Sequence, residues 1–252
     1  MAIIFENESI AMEIGSYIIG GVKSVDFYVA RDVDRALGRY GIQRFVAREY
    51  LRGEMKKINA RQDRFLHRRY LDNIFAVGTY QQQKRGVYLP LPDDVTPIVS
   101  DVKDVDRKCI EVASMLISKL FNIYEELKNV EALTYVPCHE QNLRIDPKTN
   151  ECMCIAEELA KRVGKYVNKP VVKLVEKVKH VDLKNMSVEE RWLTVQQLYK
   201  PLEQVHVDVD IESMAIIDDV ITSGATLSYI AKILKEYFNV KKVYGVAIAI
   251  TK

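Results

Sequence analysis

The chain has 252 residues, 48% of them hydrophobic and 29% charged, with a formal net charge of +2. That apolar share can fill the core of one large domain, or of a domain with an extension, and the near-neutral balance gives no global pull toward nucleic acid. No run approaches the ~18 apolar residues of a membrane span, and Glu6, Glu8 and Glu13 break the pattern of a secretory signal, so a soluble, cytoplasmic protein is expected.

Residues 1–72 read as an N-terminal, largely helical basic extension or hood. Arg31, Arg35 and Arg39 form a short row before Gly41, and Arg44, Arg48, Arg52 and Lys56 recur at steps of four, which aligns them along one side of a helix. Phe45, Tyr50, Leu51, Phe65, Leu66 and Tyr70 supply apolar contacts between the basic rows. One reading of Arg44–Arg69 is an anion surface for nucleic acid or a phosphorylated acceptor. The other is a solvated outer face of helices, which the interleaved Glu49, Glu54 and Asp63 favour.

Residues 73–252 read as an α/β domain. Gln81–Arg85 and Pro90–Asp94 look like a polar excursion. Glu131–Pro137 is an apolar strand stopped by proline, followed by a polar loop over Cys138–Asn150 and a helix over Glu151–Val163 with Gly164 at its end. Pro170–Val175 is a further strand candidate. Met214–Ile217 is apolar enough for a buried parallel strand, Leu227–Phe238 has helical spacing, and Lys242–Ile250 is a last apolar strand. Short strands alternating with helices of this length predict a doubly wound, mainly parallel sheet with right-handed crossovers.

Four cysteines, Cys109, Cys138, Cys152 and Cys154, are too few for a disulfide scaffold in a chain this long. Cys138 and His139, with Cys152 and Cys154, lack the Cys-x-x-Cys spacing of a zinc site, and Cys152 and Cys154 would point to different sides of a helix. Buried reduced thiols are expected.

The chemistry concentrates in Met214–Leu227. An apolar strand ends in Asp218 and Asp219, then Thr222-Ser223-Gly224-Ala225-Thr226 leads into a helix. Backbone N–H groups, three hydroxyls and a glycine without Cβ let that loop curl around an anion, and the helix N-terminus adds partial positive charge beneath it. A Walker A loop would need lysine after Gly224, where Ala225 stands, and a dinucleotide fingerprint would need three spaced glycines. Strand, acid pair, cradle and helix together describe a site for a sugar bearing a 5′-phosphate.

This stretch resembles the phosphoribosyl pyrophosphate (PRPP) signature of type I phosphoribosyltransferases. The resemblance implies that Asp218 and Asp219 bind the ribose hydroxyls, directly or through Mg²⁺, and that Thr222, Ser223, Gly224, Ala225 and Thr226 hold the 5′-phosphate. The 6-oxopurine salvage members carry an acidic base at the first loop position; Thr222 departs from that. Val136–Glu151 partly resembles the pyrophosphate loop of the ComF-like branch, which implies pyrophosphate-side roles for Pro137, Cys138, His139 and Arg144. The Arg-Gly-Phe usual there is replaced by Pro147-Lys148-Thr149. In the same branch, Phe75–Tyr80 and Ile98–Lys103 correspond to early strands and Asp106–Leu127 to the first helix. Lys103 stands where a lysine is common near that helix.

Asp182–Tyr199 resembles that branch's flexible covering loop with a Glu-Arg pair. Lys173, Lys177, Lys179, Lys184 and Arg191 are the local cations that a closing loop could deliver, and Arg191 joins Asp218 and Asp219 as a candidate catalytic residue. Only Thr251 and Lys252 follow Ile250, so the hood that holds the acceptor is expected from the N-terminal residues or from insertions. The resemblance implies PRPP and Mg²⁺ as ligands and, by analogy, a homodimer. Two functions stay open: phosphoribosyl transfer to a nitrogenous acceptor, and a PRPP-sensing or nucleic-acid-linked protein on the same fold.

Overall fold

The computed structural model describes residues 2–3, 12–19, 22–29, 70–80, 95–183, 186–203 and 211–251. Ala2–Ile3 (β1), Met12–Ile19 (β2) and Val22–Val29 (β3) form a separate small sheet in the order β1-β3-β2. Strands therefore stand in the first thirty residues, where a largely helical extension was expected. The basic rows between Arg31 and Arg69, the excursion over 81–94 and Lys184 lie outside the described residues.

The main sheet has four strands, Asn73–Tyr80 (β4), Ala132–Tyr135 (β5), Ser213–Ile221 (β10) and Lys242–Thr251 (β11), ordered β4-β11-β10-β5 and parallel throughout. An isolated parallel bridge, Leu133 to Val171, extends the β5 edge. The strands are near-continuous apolar runs because both faces are covered. Phe75, Val77, Leu133, Tyr135, Ala215, Ile217, Val246 and Ile248 belong to one core. Helices Thr96–Lys103 (α1), Arg107–Ile123 (α2) and Ile155–Val167 (α4) supply its other wall. Ile74, Ala76, Ala132, Met214, Ile216, Val243 and Ala247 belong to a second core with Val188–Leu198 (α5) and Ala225–Tyr237 (α6). Period-2 alternation thus splits each strand between two helix layers, giving the doubly wound α/β architecture. Each fully buried Leu or Ile contributes roughly 1.5–3 kcal/mol to either core.

Several local boundaries differ from the sequence reading. Residues 98–103 lie in α1, not in a strand. Pro at the first helical turn sets φ for a helix, and Ile98, Val99 and Val102 all bury on one side. The long helix expected from Asp106 breaks at Tyr124, whose extended backbone (φ −106°, ψ 125°) separates α2 from the short Glu125–Lys128 helix (α3). The break brings the Tyr124 ring to 4.5 Å from Phe75. Asp106 caps α2, accepting from the N–H of Lys108 and of Cys109.

Helix α4 begins at Ile155, because a hairpin of Arg144–Ile145 (β6) and Cys152–Met153 (β7) takes up the preceding residues. It runs past Gly164 to Val167 and ends on Asn168 in the left-handed conformation (φ 53°), with the Lys169 N–H donating to the Gly164 carbonyl at 2.9 Å. The strand expected at Pro170–Val175 reduces to the Val171 bridge, and the next paired segments are Val175–Lys177 (β8) and Tyr199–Pro201 (β9).

Glycine at 164 answers to space. A Cβ there would lie 2.6 Å from Val171 Cγ2 and 2.9 Å from the Lys169 carbonyl oxygen, so the returning chain can lie flat on α4 only if that atom is missing. Gly→Ala inside a helix ordinarily stabilises by up to about 1 kcal/mol. Here Gly164→Ala is expected to destabilise by about 1–3 kcal/mol, read from the urea midpoint, because the overpacking strain exceeds the propensity gain. A midpoint shifted upward would contradict the close approach.

The cysteines are not four buried thiols. Cys138 and Cys154 are joined as a disulfide with Cα atoms 5.7 Å apart, Cys109 is a buried thiol 3.5 Å from Asp101 Oδ2, and Cys152 is an exposed thiol. Pairing follows from a backbone that brings the exit of β5 beside the start of α4, a proximity that spacing along the chain does not reveal. Iodoacetamide should therefore modify the native, unreduced chain at Cys152 alone, with Cys138 and Cys154 reacting only after reduction, as read by peptide mass mapping. Rapid labelling of Cys138 without reductant would contradict the crosslink.

Candidate functional site

Strand β10 is flanked on both sides over Met214–Ile217, but β5 stops opposite Ile217, whose carbonyl accepts the last N–H from Val136 at 3.0 Å. Beyond that point one edge of β10 has no ladder partner, and unpaired backbone donors are costly. The two acids answer locally. The Asp219 N–H donates to Asp218 Oδ1 at 2.9 Å, and the Val220 N–H donates to Asp219 Oδ1 at 2.7 Å.

The chain then turns through Thr222 and Ser223 to Gly224, which takes φ 75° as the N-cap of α6. That conformation suits glycine and strains residues with a Cβ. Ser223 Oγ accepts from the Ala225 N–H at 3.4 Å, and no side chain caps Gly224. The first turn of α6 therefore directs backbone donors and the positive end of its dipole at the loop.

Loop and acids line one cavity of about 350 Å³. Asp218, Asp219 and Thr222–Leu227 line it together with Lys177, Arg191 and Tyr199, and with Val136 and Val181–Leu183. Burial, and next the charge of Asp219, push the Asp218 carboxyl well above the usual carboxylate range, against the pull of its hydrogen bond from Asp219 and of Lys103. Lys177 is pushed down by burial and partly restored by Asp218, and its ammonium lies 5.6 Å from the Tyr199 ring centre. Burial, then the Asp218 charge, raise the Tyr199 hydroxyl, with Thr226 as its hydrogen-bond partner. Asp219 answers to the opposite layer: Lys103, the last residue of α1, holds Nζ 3.5 Å from Asp219 Oδ2 and 5.1 Å from the centre of the Tyr80 ring.

The structure thus brings together Asp218, Asp219, Arg191, Thr222, Ser223, Gly224, Ala225 and Thr226 from the sequence reading. It does not bring the expected pyrophosphate-side set to the cavity. Pro137 is buried and Cys138 is spent in the disulfide. His139 Nδ1 accepts from the Gln141 N–H at 3.3 Å, capping a short 3-10 turn, while Arg144 is exposed on the β6–β7 hairpin. Lys103 meets the acid pair instead of that loop.

Tyr199 escaped the sequence reading as a site residue. The available signal was Tyr199-Lys200-Pro201, a short extended run directly after a helix. Trp192 packs against the second core, stacked on Tyr70 and edge-on to Tyr229, each at 6.2 Å.

Among the described residues no three His, Cys, Asp or Glu side chains gather as a metal site. Asp219 already has one oxygen on Val220 N–H and the other facing Lys103. This donor set does not suit a magnesium ion held by the protein, which would need free carboxylate oxygens around an octahedral ion.

An open, parallel α/β sheet with its cavity beyond the carboxyl ends of the strands defines the class of fold. No protein-family model matches the chain, and no curated protein matches it. Among solved structures it is similar to a Helicobacter pylori xanthine-guanine-hypoxanthine phosphoribosyltransferase at 13% identity and a TM-score of 0.33, over 56% of this chain and 71% of that one. A Bacillus anthracis hypoxanthine-guanine phosphoribosyltransferase follows at 10% identity and 0.31, over 57% of this chain and 66% of that one. A Trypanosoma cruzi hypoxanthine phosphoribosyltransferase, in a ternary substrates complex, stands at 12% and 0.30, over 61% and 69%. Likeness at this level says nothing about chemistry. No helix among the described residues is long and apolar enough to cross a membrane.

The raised Asp218 carboxyl fixes a sign. The folded chain binds that proton at a higher pH than the unfolded chain, so stability falls as pH rises from about the ordinary value of 3.8 through the elevated one. Asp218→Asn keeps the acceptor for Asp219 N–H and removes the buried charge. It should stabilise the fold at neutral pH, with the gain shrinking as pH falls toward the ordinary carboxylate range, as read from melts across pH. A destabilised variant at neutral pH would contradict the assigned direction.

Proposed function

We propose that this chain binds PRPP and transfers its phosphoribosyl group to a nitrogenous acceptor. The observation that carries the reading is the continuity of the site: an acid pair ending the central strand runs directly into a glycine-capped helix start, and both line one cavity. In this reading the hydroxyls and N–H groups of Thr222–Thr226 hold the 5′-phosphate, and Asp218 and Asp219 face the ribose hydroxyls. The anomeric carbon–oxygen bond to pyrophosphate breaks as the acceptor nitrogen bonds to that carbon. Pyrophosphate leaves with the electron pair, and the nitrogen loses its proton to water. Arg191 and Lys177 are the cations on the cavity wall suited to the charge that develops on the leaving group. Magnesium enters as part of the PRPP salt, a property of the substrate.

The assignment of 1–72 as the hood and the affinity with the ComF-like branch belong to this proposal. So do the acceptor, the cytoplasmic location and any homodimer. One observation supports a second reading, a PRPP-binding regulator without transfer. The loop expected on the pyrophosphate side reaches the cavity through Val136, while His139 caps a 3-10 turn and Arg144 stands exposed on the β6–β7 hairpin.

Calorimetric titration with PRPP, followed by pyrophosphate release across a nucleobase panel, separates the two. Transfer predicts binding together with base-dependent release, and Asp218→Asn combined with Asp219→Asn should lower PRPP affinity at least about 100-fold, roughly 3 kcal/mol, with the fold intact. Binding without release for every base selects the regulator. Unchanged affinity in the double variant overturns the site.

A further inference from the structure

Lys103 sits at the acid pair without lining the cavity, and its surroundings are built to keep it there. It ends α1, where a cation is favoured by the negative end of the helix dipole. The Tyr80 ring holds the ammonium from one side at 5.1 Å, and Asp219 Oδ2 faces it at 3.5 Å. To make this contact the side chain reaches across β11, since Tyr80 ends β4 and Asp219 belongs to β10. The second oxygen of Asp219 accepts from Val220 N–H, so both of its oxygens are engaged inside the chain.

Resting on the sugar-phosphate reading of the cavity, we propose that Lys103 is a resident counter-ion that takes the place of a divalent cation at Asp219, so that the sugar-phosphate half of the ligand binds without metal. Two facing needs are met at once. The charge of Asp219 at the mouth of the site would repel an anionic ligand, and the ammonium 3.5 Å away offsets it. A divalent ion at Asp219 would have to displace the ammonium or stand beside it, and like charges at such distances repel strongly. Lys103 is a positioning residue in this scheme; it touches Asp219, not the reacting atoms.

The test uses the full chain and Lys103→Met, which keeps the length of the side chain and removes its charge. Lys103 is one-third exposed, so folding should survive, and thermal melts check this. Ribose 5-phosphate, which lacks the chelating pyrophosphate, is titrated in EDTA and in millimolar magnesium, and manganese binding to the ligand-free chain is followed by electron paramagnetic resonance. The unaltered chain should bind ribose 5-phosphate equally in both buffers and take up no manganese. Lys103→Met should bind it about tenfold more weakly in EDTA, about 1.4 kcal/mol, recover with magnesium, and acquire a manganese site that adding Asp219→Asn abolishes. Lys103→Arg should behave like the unaltered chain. Manganese uptake by the unaltered chain equal to that of Lys103→Met, or a magnesium requirement for its ribose 5-phosphate binding, overturns the proposal. If no variant binds ribose 5-phosphate while the manganese pattern holds, the sugar-phosphate reading falls and the counter-ion assignment stands.

Discussion

Everything at the carboxyl edge follows from one mismatch of length. Strand β10 continues to Ile221 while its neighbour β5 ends opposite Ile217. In the interior of the sheet each N–H finds a carbonyl on the next strand. At the overhang it does not, and a short acidic side chain is the cheapest local acceptor. Asp218 meets that need by accepting the Asp219 N–H, while Asp219 accepts from Val220 N–H and turns its other oxygen to Lys103. The turn through Gly224 then starts α6 against the same rim, so a structural necessity and a ligand site share their atoms.

The pair is not symmetric. Alternation along the strand gives the two acids to different layers of the fold, and the layers treat them differently. On the α6 side Asp218 shares the cavity wall with Lys177 and Tyr199, and burial dominates its ionisation. On the α1 side Asp219 has a formal cation within ion-pair range. Two identical residues in sequence thereby become a carboxyl pushed upward by burial and a carboxylate paired with an ammonium, a division that environment alone can impose.

What the sequence disclosed follows the range of the interactions involved. The apolar runs ending at Pro137, Ile217 and Ile250 were legible because strands covered on both faces have no polar alternation to confuse them. Helix α6 and its loop were legible because capping, glycine and spacing are local. Ile98–Lys103 misled because a short apolar run fits a buried strand as well as a buried helix. The β6–β7 hairpin was hidden for a different reason. It is held from a distance by Arg107, whose guanidinium donates to the buried Asp146 and, at 3.1 Å, to Glu151. The disulfide and the pairing of Lys103 with Asp219 likewise join residues far apart in the chain. Nothing in a local pattern signals them.

Trp192 has a consequence of another kind. The chain holds a single tryptophan, and it sits on α5 directly after Arg191, its ring parallel to Tyr70 and perpendicular to Tyr229 of α6. Indole emission depends on how neighbouring rings and water surround it. The helix that carries a cavity-wall arginine is therefore intrinsically fluorescent, and any shift of α5 against α6 as the cavity fills would be visible as a change of colour or intensity, without a label.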